Sequence, residues 1–231
     1  MIAITFALRA ESAGFAAQLR KEKIADRQTT IWHTGAGQKH CQLSINQFLE
    51  AKRPDFLISS GFAGGMREDL RVGDLILAEN FSDRQLLLKA QQILTGYRVQ
   101  AVKIFTSTTI INSLADRNEI ARANDAAAVD METAVIATAC ATHGVPMLSL
   151  RIITDSLQEP LPIPPPVLFN IEHQRTDPGK FITHLLRHPT AIWRLLRFAR
   201  RIADTRAILG NAIVALVRSE SLSCNHGARL P

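Results

Sequence analysis

Apolar residues along this chain fall into short blocks of two kinds. Residues 2–8, 29–33, 55–59, 74–78, 101–107 and 147–153 are brief runs rich in Ile, Val, Leu or Phe, bounded by polar residues, Gly or Pro. That is the pattern of buried strands. Between them, residues 11–23, 39–51, 112–124 and 131–143 read as helices. The alternation predicts an α/β domain with a largely parallel or mixed sheet covered by helices on both faces. Gly144, Val145 and Pro146 close the fourth helix and open the strand that follows, since Gly ends helices and Pro cannot continue them.

The pattern changes after residue 158. "EPLPIPPPV", residues 159–167, has five prolines, which remove donors and fix φ, so the segment predicts a stiff, extended connector. A basic helical segment follows from Asp177. Within it, Ile192, Leu195, Leu196, Ala199, Ile202 and Ala203 share one face, Arg194, Arg197, Arg201 and Asp204 the other, with Trp193 and Phe198 at the edges. Such a helix suits a membrane interface, and equally suits packing on the domain or on a second subunit. The expected division is a catalytic domain over residues 1–176, a helical extension over 177–217 and a disordered tail over 218–231.

Composition narrows the class. A chain of 231 residues with 46% hydrophobic residues can bury the core of one large α/β domain. Cys41, Cys140 and Cys224 are far apart and lack metal-ligand spacing, so reduced thiols and no metal are expected. "MIAITFALRAE" has no basic leader and too short an apolar run for a signal peptide. No window approaches an uncharged 18-residue run, so the expected location is the cytoplasm. Of the net charge of +6, residues 180–231 carry +7 and residues 1–179 carry −1. A neutral body argues against a nucleic-acid partner.

Candidate chemistry lies at the strand ends. Glu11 sits just past the first strand, where open sheets place their crevices, although a carboxylate in a first helical turn is ordinary. In "SSGFAGGMREDLRVGD", residues 59–74, a buried strand runs into Gly61, Gly64 and Gly65, which suits either close approach to a ligand or a tight turn. "GAGQKH", residues 35–40, is an incomplete dinucleotide pattern. "VDMETAVIATACATHGVPMLSLRIITDS", residues 129–156, places Asp130, Glu132, Arg151 and Asp155 on the flanks of the most apolar stretch. Charges there must be paired or must face solvent or ligand.

"ALRAE", "SSGFAGG", "RVGDLILA", "VDMETAVIA" and "RIITDS" occur in the order and approximate spacing of the nucleoside phosphorylase/nucleosidase superfamily, over about residues 1–157. The pattern is most similar to the methylthioadenosine/S-adenosylhomocysteine nucleosidases. The resemblance implies a three-layer nucleoside phosphorylase-like fold and cleavage of a purine N-glycosidic bond. It implies Asp155 as the acid that protonates the purine, Glu132 as the carboxylate on the ribose hydroxyls and Met131 against the sugar. Glu11 then positions or deprotonates the attacking water, and Arg151 organises the neighbouring carboxylates at the substrate. Phe62, Ala63, Gly64, Ile110 and Ile111 fall at the family's substrate-binding positions. No cofactor is implied, with phosphate as the alternative co-substrate to water.

Three departures refine this. Phe62 stands where Ser is usual, Ile110 where an aromatic commonly stacks on the purine, and the stretch after "LILAENFSDRQ" is shorter than in the methylthioadenosine enzymes, implying an open 5′ side. The "GDPxR" phosphate signature is missing, which favours water, while Gly35, Gly37 and Arg67 are candidates for an anion site. The C-terminal part, with its Pro-rich connector, "RTDP" and basic helix, looks like that of the hopanoid-associated phosphorylases. That resemblance implies adenosylhopane as substrate, peripheral contact of residues 190–206 with the inner face of the membrane, and a homo-oligomer. The alternatives are a methylthioadenosine, adenosylhomocysteine or futalosine nucleosidase, and a non-catalytic nucleoside-binding protein.

Overall fold

The computed structural model of the chain describes residues 1–22, 29–164, 167, 174, 178–219 and 222. Its strands are β1 (Ile2–Phe6), β2 (Thr29–His33), β3 (Phe56–Gly65), β4 (Leu75–Ala78), β5 (Val99–Val102), β6 (Ile104–Thr106), β7 (Ala128–Asp130) and β8 (Met147–Asp155). Its helices are α1 (Arg9–Glu22), α2 (Gln38–Ala51), α3 (Arg84–Ile93), α4 (Leu114–Asn124), α5 (Thr133–Thr142), α6 (Pro178–Arg187) and α7 (Ala191–Arg218). The strands form one mixed sheet in the order β2-β1-β3-β8-β4-β5. β1 is parallel to β2 and β3, and β3 to β8; β4 is antiparallel to β8 and parallel to β5. The far end of β3 also takes β7 in antiparallel fashion, and β7 carries β6.

Side chains alternate across a strand, and this alternation builds three layers. Ala3, Leu57 and Met147 pack with Cys41, Ile45 and Phe48 of α2 and with Ile136, Ala139 and Cys140 of α5. Their neighbours Ile4, Ile58 and Leu148 point the other way, onto Phe15 of α1, Leu86 and Ala90 of α3, and Leu209, Ile213 and Leu216 of α7. Cys41 and Cys140 are free and buried, and burial pushes both thiols up to about 12.

Three elements differ from the sequence expectation. The strand expected at 55–59 continues to Gly65, because β8 on one side and β7 at its end keep its backbone paired; Gly61, Gly64 and Gly65 are strand residues rather than a turn. The run 101–107 divides at Lys103 into β5 and β6, which pair with different partners, β4 and β7. Helix α3 was not expected. It starts where Asp83 Oδ1 accepts from the N–H groups of Gln85 (2.9 Å) and Leu86 (3.0 Å), an N-cap that supports a helix by about 1 kcal/mol.

Helix α7 changes character along its length. Ile192, Trp193 and Leu196 are 45%, 73% and 49% exposed, whereas Ile202, Thr205, Leu209, Ala212 and Leu216 are buried. The buried half crosses α1 at two glycines. A Cβ on Gly14 would lie 2.3 Å from the Arg206 carbonyl oxygen, and one on Gly210 would lie 2.8 Å from the Gly14 carbonyl carbon. Nothing larger than glycine fits either position. Residues 209–217 therefore complete the same core as β1, β3 and β8, and the expected boundary at 177 does not divide two cores. Leu222 is buried in that core as well, inside the expected tail; residues 220, 221 and 223–231 lie outside the described residues, as do 165 and 166 of the connector. Among the described residues, no helix is long and apolar enough to cross a membrane.

Candidate active site

The turn from β1 into α1 folds one carboxylate back on itself. Glu11 Oε2 accepts from the N–H groups of Ala7 (2.9 Å) and Leu8 (3.2 Å). Across from it lies Gly61 of β3, where a Cβ would meet the same oxygen at 3.5 Å, an ordinary contact. Burial raises the Glu11 pKa above its ordinary value. The N–H of Leu8, the charge of Arg151, the N–H of Ala7 and the charge of Arg206 act in the opposite direction.

Glu132 lies between β7 and α5. Its Oε1 accepts a 2.7 Å bond from the N–H of Gly37, a residue at φ 85° where an L side chain would be strained. Burial, with the charge of Asp130 second, pushes the Glu132 carboxyl up to about 8, against the pull of the Gly37 N–H. Asp130 itself is structural. It accepts from the Thr133 N–H at 3.1 Å, from the Thr133 hydroxyl, from the Thr106 hydroxyl at 2.9 Å and from Arg151 Nε at 3.0 Å.

Arg151 corrects one expectation. Besides Asp130, its guanidinium donates to the Ser59 carbonyl (2.7 Å), the Leu150 carbonyl (3.1 Å), the Ser59 hydroxyl (2.9 Å) and the Thr133 hydroxyl (2.8 Å). All five guanidinium N–H groups are used. Arg151 is buried and is absent from the cavity wall, so it organises Asp130 and the start of α5 from behind the cavity.

Asp155 ends β8, opposite Gly64 and just past a register shift in β3. Thr154 Oγ1 donates to its Oδ1 at 3.1 Å, and Arg117 of α4 forms a buried ion pair with its Oδ2. The same guanidinium donates to the carbonyls of Ile111 and Gly65, both at 3.0 Å. A Cβ on Gly64 would come within 3.1 Å of Asp155 Oδ2 and 3.3 Å of Arg117 Nη2, which explains why this strand position is glycine. Arg117 was missed by sequence reasoning. "LADRNEIARAN" has the polar composition of a surface helix, yet Arg117 is 2% exposed.

These groups converge on one cavity of about 410 Å³. Glu11, Glu132 and Asp155 line it, with Met131 between β7 and α5. Phe62, Ala63 and Gly64 of β3 line it too, as do Ile110 and Ile111 before α4. Each expected site residue except Arg151 therefore reaches this space. Unforeseen is the wall made by Leu161 and by Phe198, Ile202 and Arg206 of α7. The segment after β4, whose shortness implied an open side, supplies no lining residue, and α7 bounds the cavity instead. The groups considered as an anion site are dispersed. Arg67 donates to Asp69 (2.5 and 2.8 Å) and to Gln100 (2.7 Å). The Gly35 N–H goes to the Ala7 carbonyl at 3.0 Å, and the Gly37 N–H goes to Glu132.

Comparisons with known proteins find matches in sequence and in fold. Residues 80–187 match the sequence family described as Phosphorylase superfamily. The 5′-methylthioadenosine/S-adenosylhomocysteine nucleosidase of Staphylococcus aureus (strain MRSA252) is 25% identical over 160 residues, covering 57% of this chain and 70% of that protein. Among solved structures, the Helicobacter pylori 5′-methylthioadenosine/S-adenosylhomocysteine nucleosidase with butyl-thio-DADMe-Immucillin-A superposes with a TM-score of 0.69 at 16% identity, covering 94% of this chain and 97% of that one. The native futalosine hydrolase of Helicobacter pylori strain 26695 gives 0.68 at 16% identity, covering 94% and 96%. Residues 80–187 are thus similar in sequence to the Phosphorylase superfamily, and the chain is similar in fold to these nucleosidase and hydrolase structures.

Proposed function

We propose that this chain hydrolyses the N-glycosidic bond of an adenine nucleoside whose sugar carries a lipid at C5′, adenosylhopane, at the inner face of the cytoplasmic membrane. One observation carries the catalytic part: Glu11, Glu132 and Asp155 come from three separate chain junctions and line a single cavity. The reaction makes a different demand on each. The transition state has oxocarbenium character, so the sugar needs negative charge and the leaving base needs a proton. Glu132 takes the ribose hydroxyls. Water held by Glu11 adds through oxygen to the anomeric carbon and gives its proton to Glu11. The C–N electron pair leaves with the adenine, which takes a proton from Asp155. For Asp155 to carry that proton its ion pair with Arg117 must loosen as the base docks. The nucleosidase and hydrolase names of the relatives support this class of reaction.

Water is favoured over phosphate because Gly35, Gly37 and Arg67 are committed elsewhere. The test is to incubate the protein with adenosylhopane, methylthioadenosine and futalosine, each with and without phosphate. The expected result is adenine and a free-hydroxyl ribose product from the lipid nucleoside at a phosphate-independent rate. A ribose-1-phosphate product would replace water by phosphate. Faster cleavage of either soluble nucleoside would remove the lipid assignment, and binding without adenine release would remove the enzyme.

The lipid part is supported by the outer face of the helical segment. Ile182 and Leu186 of α6 are 56% and 79% exposed, and Ile192, Trp193 and Leu196 of α7 are exposed as well. Arg194, Arg197 and Arg200 are exposed with them, while Phe198 and Ile202 of the same helix face the cavity. An apolar surface edged by arginines suits an anionic membrane, where each basic residue contributes about 1 kcal/mol. The double variant Trp193→Glu/Leu196→Glu is expected to lose binding to phosphatidylglycerol-containing vesicles and most cleavage of the lipid nucleoside. Cleavage of methylthioadenosine should stay within about twofold, because both side chains point away from the core. Equal loss on both substrates, or dissociation of an oligomer without a change in vesicle binding, would assign this face to a partner subunit.

A further inference from the structure

The cavity holds an unexplained cation. Arg117 pairs with Asp155 and Arg151 with Asp130, but the buried Nε of Arg206 has no hydrogen-bond partner among the described residues. A buried donor left in this state is unfavourable, so its retention needs a reason. The Arg206 backbone rests on Gly14, with its Cβ 3.4 Å from the place a Gly14 Cβ would occupy. Glu11 lies three residues before Gly14, on the same side of α1. The missing side chain at Gly14 thus lets Arg206 approach α1 within one turn of Glu11, and both residues line the same cavity.

We propose that Arg206 is a positioning residue for Glu11, holding this carboxylate in the ionised, accepting state in which it can orient and deprotonate the attacking water. The proposal rests on the reading of Glu11 as the water-holding group. The groups that act on Glu11 are Arg151 from β8, Arg206 from α7, Glu132 from the β7–α5 junction and the N–H groups of Ala7 and Leu8. Burial drives Glu11 toward its neutral form, and the two arginines oppose it. Arg151 acts on Glu11 more strongly than Arg206 does, but it is tied to Asp130, so Arg206 is the cation that can be removed without breaking that ion pair. In this arrangement α7 is part of the catalytic apparatus as well as of the core.

The test compares wild type with Arg206→Gln and Arg206→Lys by the pH profile of kcat/KM for adenine release. In parallel, the carboxyl carbon of Glu11, identified by its loss in Glu11→Gln, is titrated by NMR. Removing the positive charge lets burial raise the Glu11 pKa further. Arg206→Gln should therefore move the acid limb and the carboxyl titration to higher pH, with about tenfold loss at the acid end and less than about threefold on the plateau. Arg206→Lys should keep both near wild type. A uniform loss in Arg206→Gln with an unmoved limb and unmoved titration would overturn the proposal and leave Arg206 a packing residue. Should Arg206→Gln misfold by circular dichroism, Arg206→Met, which keeps the aliphatic stem against Gly14, takes its place. If wild type released no adenine, the proposed reaction would fall, and the carboxyl titration would still decide the role of Arg206.

Discussion

Asp155→Asn should lower the rate of adenine release by at least about a hundredfold, the scale of a lost general acid. The amide matches the carboxylate in size and keeps an acceptor for Thr154, which donates at 3.1 Å, but it has no proton to give the purine. A second effect accompanies the first. Arg117 is 2% exposed and its ion-pair partner is Asp155. Neutralising that partner leaves a buried guanidinium uncompensated, at a cost of about 3–5 kcal/mol. The single variant should therefore melt well below wild type. Adding Arg117→Met removes the stranded charge, and the double variant should regain much of the lost stability while staying inactive. Thermal unfolding and adenine release on wild type and the two variants separate the two roles. Near-normal turnover in Asp155→Asn would remove Asp155 as the acid. Equal stability of the single and double variants would mean that the ion pair contributes little to the fold.

The three carboxylates were legible in the sequence because each sits at the end of a strand or the start of a helix that announces itself. Glu11 follows β1 directly, Glu132 precedes α5, and Asp155 closes the long buried run of β8. Periodicity finds such ends without any tertiary knowledge. The arginines were harder. Arg151 was visible as a charge inside a buried strand, but only the structure reveals that Asp130, Ser59, Leu150 and Thr133 take all its donors. Arg117 and Arg206 lie in helices rich in charge, where composition describes a solvated face and carries no sign of which arginine turns inward. The register of α7 was misleading for a related reason. Apolar residues occur on more than one of its faces, so the stripe chosen from Ile192 to Ala203 overlaps only in part with the buried series through Ile202, Thr205 and Leu209. What decides that register is a contact 196 positions away in sequence, Gly14 against Gly210, which no local pattern contains. The same fact bears on deletion of residues 190–231 as a test of lipid contact. It would remove Leu209, Ile213 and Leu216 from the main core and unfold the domain, so surface substitutions at Trp193 and Leu196 are the sounder probe.

Glu132→Gln should make the protein more stable and much less active. The Gly37 N–H, now 2.7 Å from Oε1, can donate to the amide oxygen equally well. The charge beside Asp130 disappears. In wild type, burial and Asp130 push the Glu132 carboxyl from 4.5 up to about 8. A folded-state value above the unfolded one means that the native protein binds the extra proton between those limits. The associated stability is fully present below pH 4.5 and is lost as pH rises through about 8. The glutamine variant has no proton to lose, so its advantage over wild type should be near zero at pH 4 and largest near pH 9. A gain on the order of 1–2 kcal/mol, discounted for partial exposure, raises Tm by about 2–8 °C in a domain of this size. Activity, compared above pH 8 where the Glu132 carboxyl is ionised, moves the other way. A neutral amide can still bond a ribose hydroxyl, but it cannot offset positive charge developing on the sugar, so kcat should fall by about a hundredfold with a smaller change in KM. Stability is the readout that does not depend on substrate identity. A Tm difference that stays flat between pH 5 and pH 9 would show that Glu132 does not carry the burial cost assigned to it. Unchanged turnover would take it away from the ribose.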